Sequence, residues 1–246
     1  VIERQAIKAL EPELSDKIGM AVRFPQNRSM KDPYKLVLAL VERFVALGGR
    51  IEHAEVVGFT RSDAMREVVL KDGRRLPADE VVICAGAFSA KLAQDLGEPI
   101  PLETERGYHT QIMAPGITMQ HSIIWPAKAF MVTPTAGGIR VGGTVEMAGL
   151  EAAPDYRRAK VTVKRAKEAL PNLACEDFTE WMGHRPALPD TVPILSASAK
   201  TKGLFYATGH GHLGLTYAAT TARLMGELIT GAIPSVDLHP YRVNRF

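Results

Sequence analysis

A glycine pattern, Gly209-x-Gly211-x-x-Gly214, stands between an apolar run, Leu204-Phe-Tyr-Ala207, and a helical stretch expected over about 216–230. Strand, glycine turn and helix in that order open a dinucleotide-binding βαβ unit, where the helix N-terminus faces a pyrophosphate. That unit also needs a second strand carrying an acid for the ribose, roughly 20 residues on. Only 32 residues follow Gly214, and none reads as that strand. The chain must therefore build an α/β layer from its C-terminal end and use the turn differently. Two uses stay open from the residues alone. The glycines serve close packing, or they let backbone approach the edge of a flat electron acceptor such as a flavin. A reduced flavin gathers negative charge at N1 and C2=O, which a helix N-terminus favours, and Thr216 is placed to hydrogen-bond the same edge.

Upstream, Asp32 and Pro33 start a helix on whose face Leu36, Leu40, Val41 and Phe44 recur, and Gly48-Gly49 ends it. A strand over 50–59 follows. Segments 66–71 and 74–77 predict a hairpin across Asp72-Gly73. The run 80–84 is apolar enough for a strand buried on both faces. It leads through Ala85-Gly86-Ala87 to a helix over 88–96, closed by Gly97. From 98 to about 183 the texture changes to consecutive strands (107–113, 121–125, 130–133, 138–146 and 178–181), interrupted by one helix over 156–170. Few helices among many strands predict an antiparallel sheet. The expected fold class is α/β plus α+β: an α/β domain from 30–97 and 186–246, interrupted by a mainly antiparallel sheet domain from 98–185, with 1–29 joining the sheet.

A net charge of +3 gives no case for nucleic acid or an anionic membrane, and the basic stretch 157–167 reads as a solvated helix face. Two cysteines cannot build a disulfide framework. No run of 18 apolar residues exists, and the chain opens in mid-pattern at Val1, so it is expected to be part of a longer polypeptide. His210-x-His212 lies among glycines, and no third ligand stands nearby, so no metal is expected. The absence of a G-x-S-x-G gives no support to nucleophilic hydrolysis. Arg185 is sharper. It is expected just past the strand, braced by Pro186 and Pro189, and a guanidinium held this way offers a planar fork to a carboxylate.

Six pieces in order carry a resemblance: the Val56-Val57 strand, Val81-Val-Ile-Cys-Ala-Gly-Ala87, Arg106-Gly-Tyr108, Ile139-Arg-Val-Gly-Gly-Thr144, 181–190 and 209–216. With them the chain resembles the C-terminal part of the D-amino-acid oxidase/dehydrogenase flavoproteins, and looks most like the bacterial D-amino-acid dehydrogenases. The resemblance implies FAD as cofactor, with Val56 at the adenine and Ala85 and Gly86 along the adenosine. It places the isoalloxazine on Gly209, His210, Gly211, His212, Leu213, Gly214, Leu215 and Thr216. Arg185 matches the substrate-carboxylate arginine. Phe130 stands where several relatives carry a Tyr that assists it, so either that hydrogen bond falls to Tyr108 or His184, or the substrate differs from a simple D-amino acid. No residue is singled out as an acid–base catalyst, because transfer of the Cα–H hydride to flavin N5 needs alignment more than a strong base.

The implied activity is oxidation of the CH–NH bond of a D-amino acid to the imino acid. Glycine or sarcosine oxidation is the alternative within the class, and a non-catalytic fragment or subunit the alternative outside it. The family's N-terminal G-x-G-x-x-G, which holds the FAD pyrophosphate, is absent from this sequence, so the missing half of the FAD domain is an expected partner beside the amino acid. Oxygen or a membrane quinone takes the electrons, which implies a cytoplasmic protein or one peripheral to the inner membrane.

Overall fold

A computed structural model describes residues 1–61 and 64–246. The chain divides into two compact units: unit 1 is Val1–Ile51, Arg106–Glu146 and Ala153–Gly183, and unit 2 is Glu52–Glu105, Met147–Ala152 and His184–Phe246.

Unit 1 opens with β1 (Ile2–Glu3), α1 (Arg4–Leu10) and β2 (Met20–Ala21), the two strands pairing antiparallel. Next comes α2 (Pro33–Ala46), started as the sequence implies: Asp32 accepts a hydrogen bond from the Lys35 amide at 3.0 Å, and Pro33 occupies the first turn. Although α2 is rich in apolar residues, none of its side chains is buried. By compactness the helix groups with unit 1.

In unit 2, β3 (Val56–Arg61), β4 (Met65–Leu70) and β5 (Arg75–Pro77) form an antiparallel meander. β3 begins at Val56 rather than 50, and Gly73 supplies the left-handed turn residue at φ +87°. β6 (Val81–Ile83) follows, then a 3₁₀ turn over Gly86–Phe88 and α3 (Ser89–Asp95). The chain then enters β7 (Glu103–Ile112), β8 (Ile123–Trp125), β9 (Phe130–Thr135) and β10 (Gly138–Met147). After these come α4 (Arg157–Ala169) and β11 (Phe178–Ala187). These strands make a five-stranded sheet ordered β11-β7-β10-β9-β8. Unit 1's core joins Ile7 and Leu14 to Ile112, Phe130, Val132, Ile139 and Val141, with Ala166 and Leu170 from the α4 end.

β11 does not stop at 181 but runs on through Arg185 and Pro186. As the edge strand, β11 can carry a proline: the N–H that Pro186 lacks is not required on the open side.

Unit 2 closes with β12 (Ile194–Ala197), β13 (Leu204–Thr208) and α5 (Gly214–Ile229). Its second sheet is ordered β12-β13-β6, with β13 parallel to β6. One face buries Ile194, Leu204 and Tyr206 together with Ala93 of α3. The other buries Leu195, Phe205 and Ala207 against Leu224 and Met225 of α5. β13 is thus buried on both faces, whereas β6 is an edge strand with Val82 exposed, which corrects the expectation of a doubly buried strand there. Among the described residues no helix is long and apolar enough to cross a membrane.

Candidate active site

Parallel pairing of β6 and β13 sets Ile83 opposite Tyr206, so the chain leaves both strands at the same end of the sheet. In α/β sheets ligands collect at the carboxyl ends of parallel strands. From β6 emerge Ala85 and Gly86, the latter at φ +54°; from β13 emerges the glycine turn. The Thr208 hydroxyl donates to the Gly86 carbonyl at 3.0 Å and ties the two exits together. Val56 heads β3, opposite Leu70, and is partly exposed.

The glycines of the turn have separate jobs. Gly209 sits at φ +82°, and a Cβ there would meet Leu188 Cδ1 at 2.2 Å, so this position is required for packing. Gly211, at φ +53°, would point a Cβ into open space, so here the missing side chain leaves backbone accessible. α5 begins at Gly214, earlier than expected, and Leu213 at its N-cap makes no side-chain cap. Tyr217 makes a helical bond back to Leu213 O at 2.9 Å. By helix geometry the amides of Gly214, Leu215 and Thr216 then point out of the helix end. Leu213, Leu215 and Thr216 are exposed. His210 is the exception: its Nε2 lies 2.9 Å from Thr221 Oγ1, and burial pushes its imidazole below the ordinary value, so it pins the turn to α5 as a neutral ring.

The turn is anchored at two further points. The Gly211 N–H donates to the Pro186 carbonyl at 2.8 Å, directly after Arg185. His212 Nε2 lies 2.9 Å from Glu105 Oε2 on β7. Arg185 itself is half-buried, and its Nη1 is buried with no hydrogen-bond partner among the described residues. Burial lowers the guanidinium's pKa, and the charge of Glu105 opposes that shift. A desolvated cation with an unmet donor favours an anion that can use the fork. Beside it, His184 Nδ1 meets Thr104 Oγ1 at 2.9 Å, and the His184 ring stands edge-on to Phe88 at 5.9 Å.

Tyr108 and Phe130 belong to unit 1. The Tyr108 hydroxyl donates to Glu146 at 2.5 Å and accepts from the Asp155 amide at 3.0 Å, so its hydrogen bonds are already engaged. Phe130 packs in unit 1's core with Trp125 at 6.0 Å. Sequence reasoning passed over Glu105, because a lone acid inside a strand carries no local signal. Only its pairing with His212, 107 residues away, marks it.

Comparison with known proteins adds the family. A "D-amino-acid oxidase" of Bradyrhizobium diazoefficiens is 35% identical over 240 residues, covering 96% of this chain and 57% of the relative. "D-amino acid dehydrogenase 3" of Mesorhizobium japonicum is 30% identical over 234 residues, 92% of this chain and 56% of the relative. The chain thus spans little more than half the length of these two relatives. A glycine oxidase from Geobacillus kaustophilus shares the fold at TM-score 0.87 and 21% identity, over 100% of this chain and 66% of that one. The sequence pattern of the FAD dependent oxidoreductase (DAO) family matches residues 1–228, and the chain belongs to that family.

Proposed function

We propose that this chain supplies the flavin-ring and substrate-anchoring part of an enzyme that oxidises the CH–NH bond of a D-amino acid to the imino acid. One observation carries the proposal: the bond from the Gly211 amide to the Pro186 carbonyl seats a half-buried Arg185, whose Nη1 has no hydrogen-bond partner among the described residues, beside a glycine-rich turn. The residues suit FAD, since Gly211 puts no side chain in the way of a flat ring edge and the outward amides of Gly214, Leu215 and Thr216 at the start of α5 offer donors to it. Bound FAD would supply the two-electron acceptor. The protein's own contribution is alignment and charge. Arg185 fixes the carboxylate, the helix end favours negative charge on the ring edge, and Gly86 and Ala85 line the approach along β6. The D-amino-acid relative at 35% identity favours D-amino acids among possible substrates. The FAD pyrophosphate falls to polypeptide outside this sequence, in keeping with the share of the relatives the chain spans.

Replacing Arg185 tests the proposal. In the flavin-loaded protein, Arg185→Ala is expected to lower kcat/KM by about 2–4 kcal/mol of transition-state binding, mostly through KM. Arg185→Lys recovers only part, because an ammonium lacks the planar fork. Initial rates with a dye acceptor over D-amino acids, glycine and sarcosine provide the readout. Unchanged kcat/KM in Arg185→Ala would remove the arginine from the site. A protein that never acquires flavin absorbance would favour a non-catalytic module.

A further inference from the structure

Arg185 is not the only charge the turn gathers. Thr104 and His184 touch across β7 and β11 at 2.9 Å. Successive side chains in a strand point to opposite faces, so the next residues along, Glu105 and Arg185, share the other face. His212 reaches that face from the turn, with its Nε2 2.9 Å from Glu105 Oε2. Glu105 keeps 29% of its side-chain surface accessible, and among the described residues no hydrogen bond engages its Oε1. The result is a cation with an unmet donor and a carboxylate with an unmet acceptor on one face, beside one glycine-rich turn.

This arrangement suits one kind of ligand. A plain carboxylate drawn to Arg185 meets the like charge of Glu105. A ligand that carries an N–H donor on the carbon next to its carboxylate satisfies both groups at once. Among carboxylates this sets α-amino acids apart from carboxylic acids that carry no donor on that carbon, by attraction to the amine and repulsion of what lacks it. We propose that Glu105 is the specificity-determining residue that accepts a hydrogen bond from the substrate's amine nitrogen. His212 acts as a positioning residue that fixes the carboxylate's orientation. The proposal rests on Arg185 as the carboxylate anchor and adds the discrimination that Arg185 alone does not provide.

A matched pair of probes tests it. 2-Aminoisobutyrate has no Cα–H to lose, so it binds without reacting, and 2-methylpropanoate is the same skeleton without the amine. Dissociation constants come from spectral or calorimetric titration of the flavin-loaded protein. Wild type is expected to bind the amino acid more tightly. Glu105→Gln should weaken 2-aminoisobutyrate tenfold or more, while 2-methylpropanoate binds as before or more tightly because the like charge is gone. His212→Gln should shift the pair in the same sense but less. If Glu105→Gln weakens both probes by the same factor, Glu105 merely latches the turn and the proposal is overturned; an unchanged ratio overturns it equally. Failure of the underlying site looks different: Arg185→Met would then leave the binding of both probes intact. Should Glu105→Gln fold poorly, Glu105→Asp supplies the second variant. It keeps the charge but shortens the reach, and it should weaken only the amine-bearing probe.

Discussion

At the scale of single residues, the turn's glycines separate packing from access. Gly209→Ala brings a methyl to 2.2 Å from Leu188 Cδ1 at a left-handed φ, so strain and clash act together. A loss of about 2–4 kcal/mol in unfolding free energy is expected from overpacking plus the αL cost. Gly211→Ala has the same sign of φ but open space ahead of the methyl. Its cost should stay at about 1–2 kcal/mol, while flavin affinity is expected to fall, since in the proposed site the methyl would occupy the side left open to the ring edge. Thermal unfolding and flavin titration of the two variants measure both quantities. Equal flavin affinity in wild type and Gly211→Ala would mean that nothing approaches the turn there. The glycine spacing was legible in the sequence, but this division of labour was not. It depends on Leu188, which reaches Gly209 through tertiary packing and not through the local pattern.

Between elements, a charge cluster around the buried Arg106 joins β7, β10 and α4 within unit 1. Arg106 is fully buried, with Nε 3.6 Å from Glu146, and none of its nitrogens has a hydrogen-bond partner among the described residues. Glu146 also accepts from Tyr108 and pairs with Arg158 at 3.3 Å. The Tyr108 hydrogen bond is the largest influence holding the Glu146 carboxyl below its ordinary range, with help from the Arg158 and Arg106 charges. A depressed carboxyl pKa contributes stability that is complete above the unfolded-state value, roughly pH 4.3 for glutamate, and is lost as pH falls through the folded value. Glu146→Gln should therefore lower Tm clearly at pH 7, leaving Arg106 uncompensated, and the gap to wild type should narrow below pH 4. Calorimetry at the two pH values checks this, and a gap that widened in acid would refute it. Elements with local punctuation were readable: α2 from Asp32-Pro33, the Asp72-Gly73 hairpin, and the helix closed by Gly97. Those fixed by neighbours were not. β12 is a four-residue strand defined by pairing with β13, and β11 continues past Pro186 only because it lies at a sheet edge.

For the molecule as a whole, α2 poses the largest question. Its capping and periodicity make it a sound amphipathic helix, yet Tyr34 is 70% exposed, Leu40 61% and Val45 52%, with Val37, Leu38, Val41 and Phe44 exposed beside them. An isolated helix of 14 residues is marginal in water and is normally held by burying its apolar face. A contiguous exposed patch of this kind marks an interaction surface. We propose that polypeptide outside this sequence covers α2, as the missing half of the FAD domain. The expected behaviour of the chain on its own follows. It should bind a hydrophobic dye such as ANS and self-associate with rising concentration. Leu40→Lys and Val45→Lys should reduce both effects while changing its stability by no more than about 0.5 kcal/mol, since neither side chain is buried in the chain alone. In the longer protein the same substitutions should cost about 2–4 kcal/mol each, because a charge would then replace a buried aliphatic group. Equal effects in both contexts, read by chemical denaturation, would show that α2 stays uncovered and that the complement packs elsewhere.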